Sequence, residues 1–272
     1  MQRRHDPTFW LSTGLLPKDV RPAVHALYGF VRTADEIVDG DGRALPPGDR
    51  VAALERLREE LSAAMEGEPA SSDVVVALAD AGRRHDLPLD ELDRYIDSMA
   101  RDALPVRIVD WGDLESYMEG SAGSVGRIMA PLLGASQESA PSFGQLGLAF
   151  QLTNFLRDIP QDTALDRIYL PADELAAAGV SRHDLLAAQA SDGLRRVVAR
   201  QVVRARELFA AGDRGCRDAI PAASRGIAVA RGVYEGTLDR IEELGFDTLA
   251  ARAALPPRQR IAAMYRGLRG AR

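Results

Sequence analysis

Cysteine is almost missing from this 272-residue chain: Cys216 is the only one. An internal disulfide is excluded, and a reducing, cytoplasmic setting is the expectation. Four histidines and no cysteine cluster give zinc no ligand set. No apolar run reaches the roughly 18 residues of a membrane span. The opening MQRRHDPTFWLSTGLLP is broken by Asp6 and Pro7 before any apolar stretch, unlike a signal peptide. Cationic excess is also lacking: 34 Lys and Arg face 40 Asp and Glu, net −6, so duplex nucleic acid is not an expected partner. The P-loop, HExxH and GxGxxG signatures are missing, which removes the usual nucleotide and zinc chemistries. Strand signals are nearly absent, with PVRIV at 105–109 the one short candidate.

Helix-favouring Ala, Leu, Arg and Glu dominate, interrupted at Pro and Gly. The spacing predicts helices from near Pro22 to Asp39, Arg50 to Met65, Asp73 to His85 and Asp90 to Asp102. Another starts near Asp113 and passes through the small residues Gly120, Ser121, Ala122, Gly123 and Gly126. QLGLAFQLTNFLRDI reads as one helix and the RIYLP that follows as a loop. Helices at DELAAAG, Leu194 to Arg214, Ala222 to Leu244 and from Pro257 complete the chain. With no repeat and no linker, the expectation is one all-α domain over residues 1–272.

Two acidic patterns stand out. In QLTNFLRDIPQD, Gln151, Asn154, Asp158 and Asp162 fall at i, i+3, i+7 and i+11, one face of a helix. In FVRTADEIVDG, Arg32, Asp35 and Asp39 fall at i, i+3 and i+7, with Glu36 beside Asp35. Carboxylates four apart repel, and Mg²⁺ is a hard cation that compensates while leaving positions for water and phosphate. One such pattern on a helix is usually a solvated face. Two, each flanked by apolar residues and an arginine (Arg32, Arg157), point to metal-assisted diphosphate chemistry.

PTFWLSTGLLPKDVRPAVHALYGFVRTADEIVDG, SYMEGSAGSVG and FQLTNFLRDIPQDTALDRIYLP together resemble the ordered blocks of the squalene/phytoene synthase family, over nearly the whole chain. The resemblance implies an isoprenoid-synthase helical bundle with a central cavity. It also implies a Mg²⁺-dependent prenyltransferase that ionises a prenyl diphosphate. Carried over residue by residue, Asp35, Glu36, Asp39, Asn154, Asp158 and Asp162 would hold Mg²⁺ and diphosphate. Arg32, Gln151, Arg157, Arg167 and Tyr169 would support them, and Tyr28 and Tyr234 join the substrate-binding set. Tyr117 would stand where the prenyl cation forms. The small residues around Gly123 would leave room for a prenyl chain or let helices pack closely.

Four departures from the family pattern bear on the acceptor. The opening reads Thr8-Phe9-Trp10, with an indole where a small or polar side chain is usual. Glu36 stands for Asp. The second motif reads DIPQD, so Pro160 should kink its helix between Asp158 and Asp162, and Gln161 replaces an acid. Near the C-terminus, DTLAAR leaves Ala251 beside Arg252 where paired arginines are usual. Glu36 keeps the charge, but together the changes would weaken the hold on a second diphosphate, so the expectation leans to transfer onto an aromatic, carbazole-type acceptor. Head-to-head condensation of two prenyl diphosphates, as in a phytoene or dehydrosqualene synthase, is the alternative. Membrane contact would at most be peripheral, through the arginine-rich C-terminal run.

Overall fold

The computed structural model describes residues 12–216, 219–251 and 253–270. Helix α1 (Arg21–Asp39) takes Pro22 in its first turn, where the missing N–H costs nothing, and buries Ala23, Val24, Leu27, Phe30, Ala34 and Val38. That stripe leaves Arg32, Asp35 and Asp39 along its flank. Helices α2 (Pro47–Met65), α3 (Asp73–His85) and α4 (Glu91–Asp102) pack around it. Buried Arg50 of α2 donates to the carbonyl of Val38 at 3.2 Å and of Ala103 at 2.7 Å, tying the C-terminal ends of α1 and α4 together. Those ends carry Asp39 and Asp102.

The 105–109 candidate becomes β1 (Val106–Arg107), and its partner β2 (Arg167–Ile168) lies in the segment the sequence reads as loop. They pair in parallel, Val106 with Arg167 and Arg107 with Ile168. The expected helix through the small residues begins as α5 (Trp111–Met118), passes through one π-helical turn at Glu119–Gly123, and continues as α6 (Ser124–Leu132). A π turn inside a helix inserts an extra residue, and glycine eases it.

Helix α7 (Ala140–Arg157) ends earlier than the sequence suggests. The break falls at Asp158, with φ −111° and ψ 20°, and α8 (Ile159–Ala164) restarts with Pro160 in its first turn. Pro160 has no N–H for the Leu156 carbonyl, so the chain leaves helical geometry just before it and resumes where no donor is needed. The four-residue stripe from Gln151 to Asp162 is thus divided between two helices.

The remaining α-helices are α9 (Ala172–Ala177), α10 (Asp192–Cys216), α11 (Pro221–Glu243) and α12 (Pro257–Gly270). Among the described residues no helix is long and apolar enough to cross a membrane. Arg258, Arg266 and Arg269 of α12 are exposed, a solvated face. One apolar cluster fills the space under α1–α4 and a second surrounds α7 and α10. Between them lies a cavity of about 340 Å³, lined from both sides.

Candidate active site

The cavity is almost wholly apolar. Val24, Leu27, Met129, Leu133, Phe143 and Phe150 line it, while Tyr28, Gln151, Asn154 and Tyr234 stand among its few polar groups. Tyr234 packs on Phe150 with ring centroids 4.5 Å apart. The small-residue belt serves both expected ends. Ser121, Ala122 and Gly126 face the cavity. At Gly126 an added Cβ would lie 2.2 Å from the Phe143 carbonyl oxygen, and at Gly120 one would lie 2.6 Å from that of Arg94, so neighbouring helices approach to backbone contact there.

The two acidic walls converge on one region. Asp35 sits within hydrogen-bond reach of the Tyr95 hydroxyl, 3.0 Å away. Burial pushes its carboxyl up to about 6; the Tyr95 bond and Arg32 oppose this, and Asp39 and Asp102 add to it. Asp162 is pushed further, to about 7, again by burial first and then by Asp158, with Asp102 and Asp39 contributing and Arg167 opposing. Carboxylates from both motifs therefore feel one another.

Each wall already holds an arginine against a carboxylate. Arg167, 4% exposed, donates to Asp39 at 2.5 Å. Arg157 grips the neighbouring Asp158, its Nε at 3.0 Å from both carboxylate oxygens. Glu36 turns the other way: it pairs with Arg32 at 3.1 Å and its side chain is 59% exposed. Gln161 is exposed as well.

Tyr117 departs from its expected position. It is 1% exposed, absent from the cavity wall, and its hydroxyl donates to Asp102 Oδ2 at 2.5 Å. Its ring lies 5.3 Å from that of Tyr169 and 6.0 Å from that of Phe155, with the Arg101 guanidinium 5.3 Å from its centroid. The aromatic faces on the cavity belong to Tyr28, Phe143, Phe150 and Tyr234 instead. Tyr169 borders a small neighbouring void with Phe155, Asp162 and Arg167. Thr8, Trp10 and Arg252 lie outside the described residues.

Do these residues suit Mg²⁺? The Asn154 side-chain oxygen is buried and accepts no hydrogen bond. Leaving such an acceptor unmet costs about 1–3 kcal/mol, which a hard cation would relieve. The motifs' other side chains offer carboxylate oxygens, and burial first, then neighbouring carboxylates, raises the pKa of Asp35 and Asp162. Among the described residues no three His, Cys, Asp or Glu side chains form a ready-made cage. Mg²⁺ needs none, because it binds through one or two carboxylates and takes water and phosphate for the rest. The residues fit.

The profile that defines the squalene/phytoene synthases matches residues 2–259. The chain belongs to the squalene/phytoene synthase family. Members of this family are prenyltransferases, and so is this enzyme. It is 36% identical to the phytoene synthase of Thermus thermophilus over 253 residues, 93% of this chain and 85% of that protein. The 15-cis-phytoene synthase of Synechococcus elongatus is 34% identical over 93% of this chain and 85% of its own length. The crystal structure of squalene synthase HpnC from Alicyclobacillus acidocaldarius superposes with a TM-score of 0.81 at 32% identity, covering 90% of this chain and 91% of that one. A dehydrosqualene synthase superposes with a TM-score of 0.87 over 98% of this chain and 92% of its own; at 24% identity that likeness shows the all-α isoprenoid-synthase fold.

Sequence reasoning missed Asp102 and Tyr95 in this synthase. Asp102 accepts from Tyr117 and, at 2.9 Å on its other oxygen, from Tyr169. Burial raises its pKa, opposed by Arg167 and the two tyrosine bonds. The signal was present: Tyr95, Ser98 and Asp102 at i, i+3 and i+7 repeat the spacing of Arg32, Asp35 and Asp39.

The raised carboxylates carry a testable sign. Asp35 and Asp162 bind protons more tightly in the folded state than in the unfolded chain. Their contribution to stability is full below about pH 4, the unfolded value, and is lost as pH rises through 6 to 7. His25, lowered by burial and Arg21, acts in the opposite sense only below its unfolded value. Metal-free protein should therefore melt about 2 °C lower at pH 8.0 than at pH 6.5, mostly through Asp162 because Asp35 is largely ionised by then, and Mg²⁺ with inorganic diphosphate should remove most of the difference. A differential scanning fluorimetry series that shows no fall above pH 6.5 would remove the case for strained carboxylates.

Proposed function

We propose that this enzyme joins two prenyl diphosphates head to head, in the manner of a phytoene or dehydrosqualene synthase. The observation that carries the reading is the pair of acidic walls, each with its own arginine, beside one apolar cavity. Two facing carboxylate walls suit Mg²⁺-assisted departure of diphosphate into an apolar space, and the relatives named phytoene synthase favour a second prenyl diphosphate as the acceptor.

Bound Mg²⁺ would neutralise the charge that develops on departing diphosphate. Asp35 and Asp39 on one side, and Asn154, Asp158 and Asp162 on the other, are the residues to hold it. Arg157 and Arg167, now occupied by Asp158 and Asp39, would turn their remaining donors to phosphate oxygens once those carboxylates have other partners. The apolar lining keeps water from the prenyl cation, and the faces of Tyr28, Phe150 and Tyr234 would stabilise it by roughly 2 kcal/mol when desolvated.

The relatives named phytoene synthase support this reading over the aromatic acceptor that the sequence departures favoured. There is a physical reason for the change. Two of the departures are mild in place: Glu36 keeps its charge and pairs with Arg32, and Gln161 is exposed, so neither takes a carboxylate out of the pair formed by Asp35 and Asp39 or by Asp158 and Asp162. The break at Asp158 leaves Asp162 within electrostatic reach of Asp39 and Asp102 rather than removing it.

Incubation with Mg²⁺ and C15 or C20 prenyl diphosphate alone is expected to give a coupled C30 or C40 hydrocarbon. A hydroxylated carbazole added to the assay is expected to stay unprenylated. Prenylated carbazole, with no hydrocarbon in its absence, would overturn the reading.

A further inference from the structure

We propose that Asp102 is a positioning residue for prenyl transfer, holding the aromatic cluster and the diphosphate arginine in register from behind the cavity. The argument rests on geometry. Asp102 is 8% exposed, lies at the end of α4 and is not on the cavity wall. Both of its carboxylate oxygens are engaged, one by Tyr117 and the other by Tyr169. Tyr169 in turn stacks on Phe155 with centroids 3.9 Å apart and planes 14° from parallel. Phe155 directly follows Asn154 in α7, so the clamp on two hydroxyls fixes the helix that carries the second acidic wall.

The main chain of the same residue makes the other link. The Asp102 carbonyl accepts from Arg167 Nη2 at 2.7 Å, and that nitrogen also reaches Asp39 at 2.5 Å. Two turns earlier Tyr95 reaches Asp35, and Ser98 Oγ donates to the Tyr117 carbonyl at 3.3 Å. One face of α4 thus touches the first motif, Arg167 and the aromatic cluster without facing the cavity. A buried carboxylate is a poor choice for stability alone, since an apolar side chain of similar size would serve better. Its geometry serves alignment, and a small misplacement of groups around a reacting centre lowers rate steeply.

The inference rests on prenyl transfer and not on the acceptor, so the assay reads diphosphate release, which does not depend on which product forms. Products are analysed separately for coupled hydrocarbon and for prenyl alcohol, formed when water takes the cation and loses a proton. Asp102→Asn is expected to lower kcat for diphosphate release about 10- to 100-fold with KM within twofold. The alcohol fraction should rise. In a Tyr117→Phe/Tyr169→Phe background the same change should cost less than threefold more, because the groups through which Asp102 acts are gone. Full additivity in that cycle, or an unchanged kcat in folded Asp102→Asn, would overturn the proposal. Should Asp102→Asn fail to fold, Tyr117→Phe and Tyr169→Phe are read singly with Asp102 intact. Each should show the same fall in kcat and rise in alcohol in milder form, and wild-type kinetics in both would overturn it equally.

Discussion

Asp162→Asn is expected to make the metal-free protein more stable at pH 8 while lowering prenyl transfer by about 10²- to 10³-fold. The two effects have one origin. Asp162 sits partly buried among Asp158, Asp102 and Asp39, with Arg167 the leading charge in opposition, and its carboxyl is pushed up to about 7. At pH 8 it is charged in an environment that favours the neutral form, and asparagine has no charge to bury. The amide keeps the shape, so packing changes little. What disappears is a negative ligand where a cation is to be held. A residue kept for structure would show the reverse, losing stability and activity together. Melting curves at pH 6.5 and 8.0 with diphosphate-release kinetics decide the matter: the gain should be larger at pH 8.0. A lower melting temperature at both values would show that Asp162 supports the fold rather than the site.

Much of this was legible in the chain because helical spacing is a strong signal. Asp73 to His85 follows apolar periodicity, and α1 ends at Asp39 where Gly40 and Gly42 interrupt it. The two acidic patterns also declared themselves. Side-chain partners did not. Periodicity says which face a residue shares and nothing about what lies opposite, so Arg167 against Asp39, 128 residues apart, was invisible. Asp102 escaped for a related reason: its partners Tyr117 and Tyr169 reach it from α5 and from just past β2, and β2 forms only because β1 lies beside it. Pro160 did announce a distortion, but the sequence fixes where a hydrogen bond is lost and not where the chain bends to absorb the loss. It bent at Asp158.

The positions of Glu36 and Tyr117 carry the same lesson in opposite directions. Glu36 matched a motif by adjacency, yet adjacent residues on a helix point about 100° apart, and it turned outward to Arg32. Tyr117 matched a block by position and turned inward to Asp102, leaving Tyr28, Phe150 and Tyr234 as the cavity aromatics. In both cases the motif located the neighbourhood and hydrogen bonding chose the direction.

Arg167→Ala is expected to be the most disruptive single change, lowering stability by about 3 kcal/mol and abolishing measurable prenyl transfer. Removing one member of a buried ion pair costs about 3–5 kcal/mol because the partner is left uncompensated. The lower end applies here, since the Asp39 side chain is 48% exposed and regains water. The loss does not stop at Asp39. Arg167 also lowers the cost of charge on Asp102 and Asp162 and satisfies the Asp102 carbonyl. For a chain of this size 3 kcal/mol corresponds to a fall in melting temperature of about 5 °C. Coupling gives the sharper test. If Arg167 works by balancing Asp162, then adding Asp162→Asn to Arg167→Ala should recover more stability than Asp162→Asn adds to the wild type, because the removed charge is the one left without its counterweight. Equal gains in the two backgrounds would mean that Arg167 supports the fold through Asp39 and the Asp102 carbonyl alone, and that the two acidic walls stand electrostatically apart.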